Sequence, residues 1–162
     1  MLDNIKNNID IILKWLLVFI MATMTLNVLW QVFSRFLLQD PSSFTEELAR
    51  YMLVWLGILG AAYVAGQKMH LAIDLLSTKL HGKSKVYLDI FINLAILLFA
   101  FIVMVIGGIR LVTITLSLNQ ISAAMQVPLG YVYTVVPLSG VLMTFYAIYF
   151  LVKDVDALRN NS

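Results

Sequence analysis

Four long stretches of this chain carry no charged residue, and short polar segments separate them. Residues 15–34 lie between Lys14 and Arg35, residues 51–67 between Arg50 and Lys68, and residues 90–109 between Asp89 and Arg110. The last stretch, 111–152, is too long for one crossing. Asn119, Gln120, Gln126, Pro128 and Gly130 break it, which leaves 131–152. About 20 helical residues at about 1.5 Å each cover about 30 Å of hydrocarbon, and a charge at the bilayer centre costs several kcal/mol. The pattern predicts an all-α integral membrane protein. Its single four-span membrane domain, 1–162, has transmembrane helices over about 15–34, 48–67, 88–110 and 131–152.

Between the second and third spans the pattern changes. Met69, Ala72, Ile73, Leu76 and Leu80 recur at helical spacing, with His70, Asp74, Ser77 and His81 on another face. This predicts a short amphipathic helix over about 69–81 on the cytoplasmic side. It either lies in the interface plane, with Lys79, Lys83 and Lys85 toward anionic headgroups, or packs on the bundle as an extension. Between the first two spans, Ser43 and Glu46 have the spacing of a capping box, so the second helix is expected to start near Phe44. Glu46 and Glu47 then occupy its first turn, where the dipole favours anions, and Glu46 and Arg50 form an i,i+4 pair. The third helix is expected to run past Arg110 to a break at Asn119. Trp15, Trp30, Tyr131, Tyr133, Tyr146 and Tyr149 flank the first and fourth spans; such rings sit at headgroup level or pack between helices. The first apolar run exceeds a signal-peptide core and no small-x-small site follows it, so it is expected to stay as an anchor.

Composition sharpens the class. Of 162 residues, 61% are hydrophobic and 12% charged, and the mean hydropathy is +0.90. Soluble domains run nearer 45–50% apolar and about 25% charged. A soluble globular domain and a disordered chain are both excluded. The absence of cysteine removes disulfides, thiolate metal sites and a cysteine nucleophile. A net charge of +2 is too mild to argue for nucleic acid. With four spans, the termini and the middle loop share a side that carries Lys6, Lys14, Lys68, Lys79, Lys83, Lys85, Lys153 and Arg159. The other side has only Arg35, Arg50 and Arg110, so both termini are expected in the cytoplasm.

Candidate contact residues follow from polarity and size. Thr23, Asn27, Gln31 and Arg35 recur at steps of four on one side of the first helix. Polar groups in hydrocarbon need partners, so this ridge reads as a helix or subunit contact before it reads as a solute path. Gly57, Ala61 and Ala65 form a small-xxx-small ridge on the second helix, a face on which two backbones approach closely. His70 and His81 stand about 16 Å apart along a straight helix, which argues against a shared metal ion, and neither lies inside a span where a haem ligand belongs. No phosphate loop, H-E-x-x-H or G-x-S-x-G is present, so no catalytic residues, cofactor or metal is expected.

Several motifs together resemble a known family. Residues 30–35 read Trp-Gln-Val-Phe-Ser-Arg, and residues 44–51 read Phe-Thr-Glu-Glu-Leu-Ala-Arg-Tyr. Trp55, Gly60-Ala61-Ala62 and His70-Leu71-Ala72-Ile73-Asp74 follow. The chain is similar to the small membrane subunit (DctQ type) of tripartite ATP-independent periplasmic (TRAP) transporters, with Phe44 where the family often has Trp. The resemblance implies a bacterial inner-membrane importer of organic acid anions, of the C4-dicarboxylate or sialic acid class. A periplasmic binding protein captures the solute, and a large membrane subunit carries it using a sodium gradient. The small subunit is the non-catalytic scaffold that binds the large one. On that view Glu46, Glu47 and Arg50 contact the large subunit or the docked binding protein. Two alternatives stand beside it. A self-sufficient four-span exporter is disfavoured because 15–34 holds no acidic residue, and a respiratory membrane anchor because no histidine lies within a span.

Overall fold

The computed structural model describes residues 2–40, 42–67 and 83–160. They form α1 (Leu2–Phe36), α2 (Ser43–Gly66), α3 (Lys83–Leu98), a π-helical stretch (Phe99–Gly107), α4 (Gly108–Ser117), α5 (Leu129–Tyr133) and α6 (Val135–Asn160). Four of the resulting rods are long and apolar enough to cross a membrane: Leu2–Phe36, Ser43–Gly66, Lys85–Ser117 and Leu129–Asp156. Among the described residues there is no β-strand, only an isolated bridge between Ile121 and Pro128. The expected amphipathic helix over 69–81, with His70, Asp74 and Lys79, lies outside the described residues.

The rods pack in the order first, second, fourth, third. α1 packs on α2, α2 on α6, and α6 on α3 and the π-helical stretch. Leu13, Ile20, Leu59 and Val135 form the core where the first three meet, with Trp55 and Leu142 against it. Most other large apolar side chains point outward, as expected where the solvent is lipid.

The third rod departs from a plain α-helix where it packs against α6. Ala100, Met104, Gly108 and Val112 recur at steps of four and are buried or half-buried, and Met104 and Gly108 meet Gly140 and Pro137 of α6. In an α-helix a step of four overshoots a full turn by about 40°, so three steps carry a seam about 120° around the rod. The wider π turns over Phe99–Gly107 hold the seam in place. Close contact makes this worthwhile. A Cβ on Gly108 would stand 2.9 Å from the Pro137 ring, and one on Gly140 would stand 2.7 Å from the Met104 Cβ.

The start of α2 is displaced by one residue from the expected capping box. Ser42, not Ser43, is the N-cap, and its Oγ accepts from the Thr45 amide at 3.4 Å. Glu46 then falls beyond the position that reaches back to the cap, and pairs with Arg50 instead.

Candidate functional site

Among the described residues, carboxylates gather polar partners near the end that carries both termini and again at the opposite, loop end. The first node centres on Asp10. Its Oδ1 accepts from the Tyr146 hydroxyl at 2.6 Å; its Oδ2 accepts from Lys6 Nζ at 2.6 Å and from Gln67 Nε2 at 3.1 Å. One carboxylate thus ties α1 to the C-terminal end of α2 and to α6. Gly66 makes room, since a Cβ there would stand 2.6 Å from Tyr146 Cζ. A clasp lies one to two turns nearer the termini. Asp3 accepts from Lys153 Nζ at 2.7 Å and from the Tyr149 hydroxyl, and Lys153 Nζ stands 4.7 Å from the centre of the Tyr149 ring. The hydrogen bond from Lys153, then that from Tyr149, holds the Asp3 carboxyl down at about 2; the same pairing with Asp3 raises Lys153.

The second node joins α3 to α6: Asn93 Nδ2 donates to Asp154 Oδ2 at 2.8 Å, with both side chains buried.

The loop-end node is Glu47. Its Oε1 accepts from the Tyr51 hydroxyl at 2.6 Å, and its Oε2 accepts from the backbone amides of Ala124 and Met125 at 2.8 Å each. Glu47 stands ahead of the apolar run that begins at Tyr51. The Tyr51 hydrogen bond, aided by the loop amides and opposed by desolvation, lowers its carboxyl to about 2. The loop it grips closes on itself. Ser122 N donates to Val127 O at 2.9 Å, Leu129 N to Gln120 O at 2.8 Å, and Val127 N to Ser122 Oγ at 3.2 Å. Asn119 and Gln126 turn it with positive φ.

The candidate residues divide by position. Asn27 Nδ2 donates to Thr45 O at 2.7 Å, which joins α1 to the start of α2 within this chain. Thr23 donates to its own helix at Phe19 O; Gln31 is half-buried and Arg35 exposed. Glu46 and Arg50 form an exposed pair at 3.4 Å. Of the small-residue ridge, Ala65 is buried, whereas Gly57 and Ala61 are exposed and Gly57 has no atom within 4 Å of its missing Cβ. Lys83 and Lys85 stand in the first turn of α3. Trp55 Nε1 donates to Val132 O and Ser139 Oγ to Ile58 O, both at 2.9 Å, pinning α2 to the fourth rod. Among the described residues no three His, Asp or Glu side chains converge as metal ligands.

Sequence reasoning placed Tyr146 and Tyr149 at a span boundary but did not pair them with Asp10 and Asp3. Both rings are buried between helices, because each hydroxyl finds a carboxylate there. One signal was available: Asp3, Lys6 and Asp10 recur at steps of three and four ahead of the first apolar run.

Four apolar rods, knit by buried polar bonds and set in an outward-facing apolar surface, define an all-α multi-pass membrane protein. The chain belongs to the DctQ component family of tripartite ATP-independent periplasmic transporters, whose family model matches residues 24–157. That family is a transporter component and not an enzyme class. The chain is 34% identical over 107 residues to the sialic acid TRAP transporter small permease protein SiaQ of Vibrio cholerae. That match covers 66% of this chain and 60% of the relative. A putative TRAP transporter small permease protein of Haemophilus influenzae is 24% identical over 155 residues, covering 96% of this chain and 94% of the relative. The sialic acid TRAP transporter permease protein SiaT of Haemophilus influenzae is 26% identical over 115 residues, covering 71% of this chain and 18% of its own length.

Proposed function

We propose that this chain is the small, non-catalytic membrane subunit of a sodium-coupled TRAP importer of organic acid anions. It binds the large transport subunit and extends that subunit's fixed scaffold. The solute belongs to the C4-dicarboxylate or sialic acid class, in keeping with the family and with the relatives named for sialic acid. The partners are the large membrane subunit, a periplasmic substrate-binding protein and the membrane lipids. The sodium gradient acts on the large subunit. The chain resides in the bacterial inner membrane.

One observation carries the reading. A carrier needs a midplane site of uncommitted polar groups. Here 15–34, 51–67, 90–109 and 131–152 hold no Asp, Glu, Lys, Arg or His, and Asn27, Trp55, Asn93, Ser139 and Tyr146 each bond to another rod. Polar groups committed in this way build a frame. The match to a small fraction of a longer permease supports the partnership, because a segment of this kind there shares a chain with a much larger part.

The test is reconstitution into liposomes with an inward sodium gradient, the binding protein and a labelled organic acid anion. Uptake is expected only with the large subunit, this chain and the binding protein together. Uptake by this chain alone overturns the scaffold reading, as does full uptake without it.

A further inference from the structure

Contacts between the rods fix which residues stand at one height in the packed row. Asp10 of α1 meets Tyr146 of α6, and Gly140, six residues back along α6, meets Met104 of the third rod. α1 and α6 run antiparallel, so Leu16 and Met104 stand at about the same height. Ile58 meets Ser139, which ties α2 into the same frame. In this frame the charge-free runs do not line up. The middle of 15–34 lies eight to nine residues from Leu16 toward the loop end, and the middle of 90–109 lies four to five residues from Met104 toward the termini. At about 1.5 Å per residue the two middles are about 20 Å apart along the rods. Those of 51–67 and 131–152, at Leu59 and at Val141–Leu142, fall between them. The middle thus steps toward the termini at each rod, in the order in which the rods pack.

A row standing upright leaves one of its ends in water. A hydrocarbon slab centred on the α1 run strands Phe91, Leu94 and Leu98 beyond its face on the side of the termini. One centred on the third-rod run strands Leu26, Leu29, Trp30 and Phe33 on the loop side. All seven side chains are exposed, and exposed apolar surface of this extent belongs in hydrocarbon. Inclining the row brings both ends in. Four rods with axes 8–10 Å apart make a row about 27 Å wide from first to last axis. A step of about 20 Å across that width is a slope of about 35°, within the range of membrane helices. Rod length agrees. At that slope about 24 residues cross about 30 Å of hydrocarbon. The four rods hold 35, 24, 33 and 28 residues in chain order.

We propose that the row sits in the bilayer inclined within its own plane by about 35°, with α1 displaced toward the loop-side leaflet and the third rod toward the leaflet nearest the termini. Its lipid-contacting surface is then an oblique belt that runs from Trp30 and Phe33 on α1 to Phe91 and Leu94 on α3. Bilayer lipid covers both ends of the belt, because the charges that close each run shift along with its middle: Lys14 and Arg35 on α1, Asp89 and Arg110 on the third rod. The inclination follows from this chain by itself and is independent of the transport reading.

Depth measurement by electron paramagnetic resonance tests it. The full chain, in vesicles of phosphatidylethanolamine and phosphatidylglycerol, carries one nitroxide at a time at L26C, F101C, W15C or V103C, all exposed positions. Collisions with oxygen, which concentrates in the bilayer centre, and with a water-soluble nickel chelate give the depth of each label. Leu26 and Phe101 each lie within about two residues of the middle of their run, so both are expected deep, with the highest oxygen-to-nickel ratios. In an upright row they stand about 20 Å apart along the normal, and at least one lies about 10 Å or more from the midplane. Trp15 and Val103 share one height in the packed row. An upright row gives them equal depth, whereas the inclined row puts W15C several ångströms nearer the surface than V103C. Equal depths at W15C and V103C, or a shallow label at L26C or F101C, overturn the inclination. Low collision with both reagents at L26C or F101C marks cover by protein, such as a second copy of the chain, and overturns the lipid belt.

Discussion

Glu47 makes the most of one side chain. A carboxylate has room for several donors, and here it takes a phenol and two consecutive backbone amides, bonds that are strong because the acceptor is charged. Replacement by glutamine keeps the shape but turns one acceptor oxygen into a donor facing either the amides or the phenol. Amide exchange at Ala124 and Met125 is expected to quicken several-fold in E47Q, with the helical amides of α6 unchanged. The pH dependence has a definite sign. The folded-state carboxyl, at about 2, lies below its unfolded value, so its contribution is complete above about pH 5 and fades as pH falls toward 2. Exchange at these two amides, corrected for intrinsic rates, is expected to be flat from pH 7 to 5 and to rise below that. Protection that persists in E47Q or through the acid range counts against this grip on the loop.

At the scale of elements, glycines separate the faces that are used from those left open. Gly140 and Gly108 sit where the fourth rod meets the third, and a Cβ there meets Met104 or Pro137. Gly57 and Gly60 have nothing within 4 Å. G140L is expected to destabilise the purified chain by about 1–3 kcal/mol, the usual cost of overpacking. G57L is expected to leave its stability within about 0.5 kcal/mol, as at an unobstructed surface site, while lowering recovery of the large subunit if that face is the docking face. Thermal unfolding in detergent and co-purification read the two effects separately; a loss of stability in G57L contradicts the open face. Much at this scale was legible in advance, because charge-free runs of about 20 residues have few other uses. The end of the third helix near Asn119 followed from its apolar stripe and the polar break. The π-helical stretch did not, since its cause is a seam spaced by four against a neighbour that the sequence does not identify. Nor did the Asp10 node. Its partners Gln67 and Tyr146 are distant in sequence, and Asp10 lies five residues ahead of the expected first span while Tyr146 lies six residues inside the expected fourth. That stagger exists only in the packed molecule.

Across the whole molecule, the remaining variable is which way the row of rods faces. Positive residues decide this for most multi-pass proteins, with acidic residues contributing little. The end with both termini carries eight Lys and Arg by sequence and the loop end three. The structure adds a qualification: Lys6 and Lys153 are paired with Asp10 and Asp3. Discounting both still leaves six against three, and the loop end loses Arg50 on the same count through Glu46. The bias survives pairing, so the termini are expected in the cytoplasm and the loop gripped by Glu47 on the far side. The chain has no cysteine, which makes labelling free of background. Q120C, in the exposed loop, is expected to react with a membrane-impermeant maleimide in intact cells. K85C, at an exposed position near the start of α3, is expected to react only after the membrane is opened. The reverse pattern would invert the topology and place the termini and the Asp3–Lys153 clasp on the far side of the membrane.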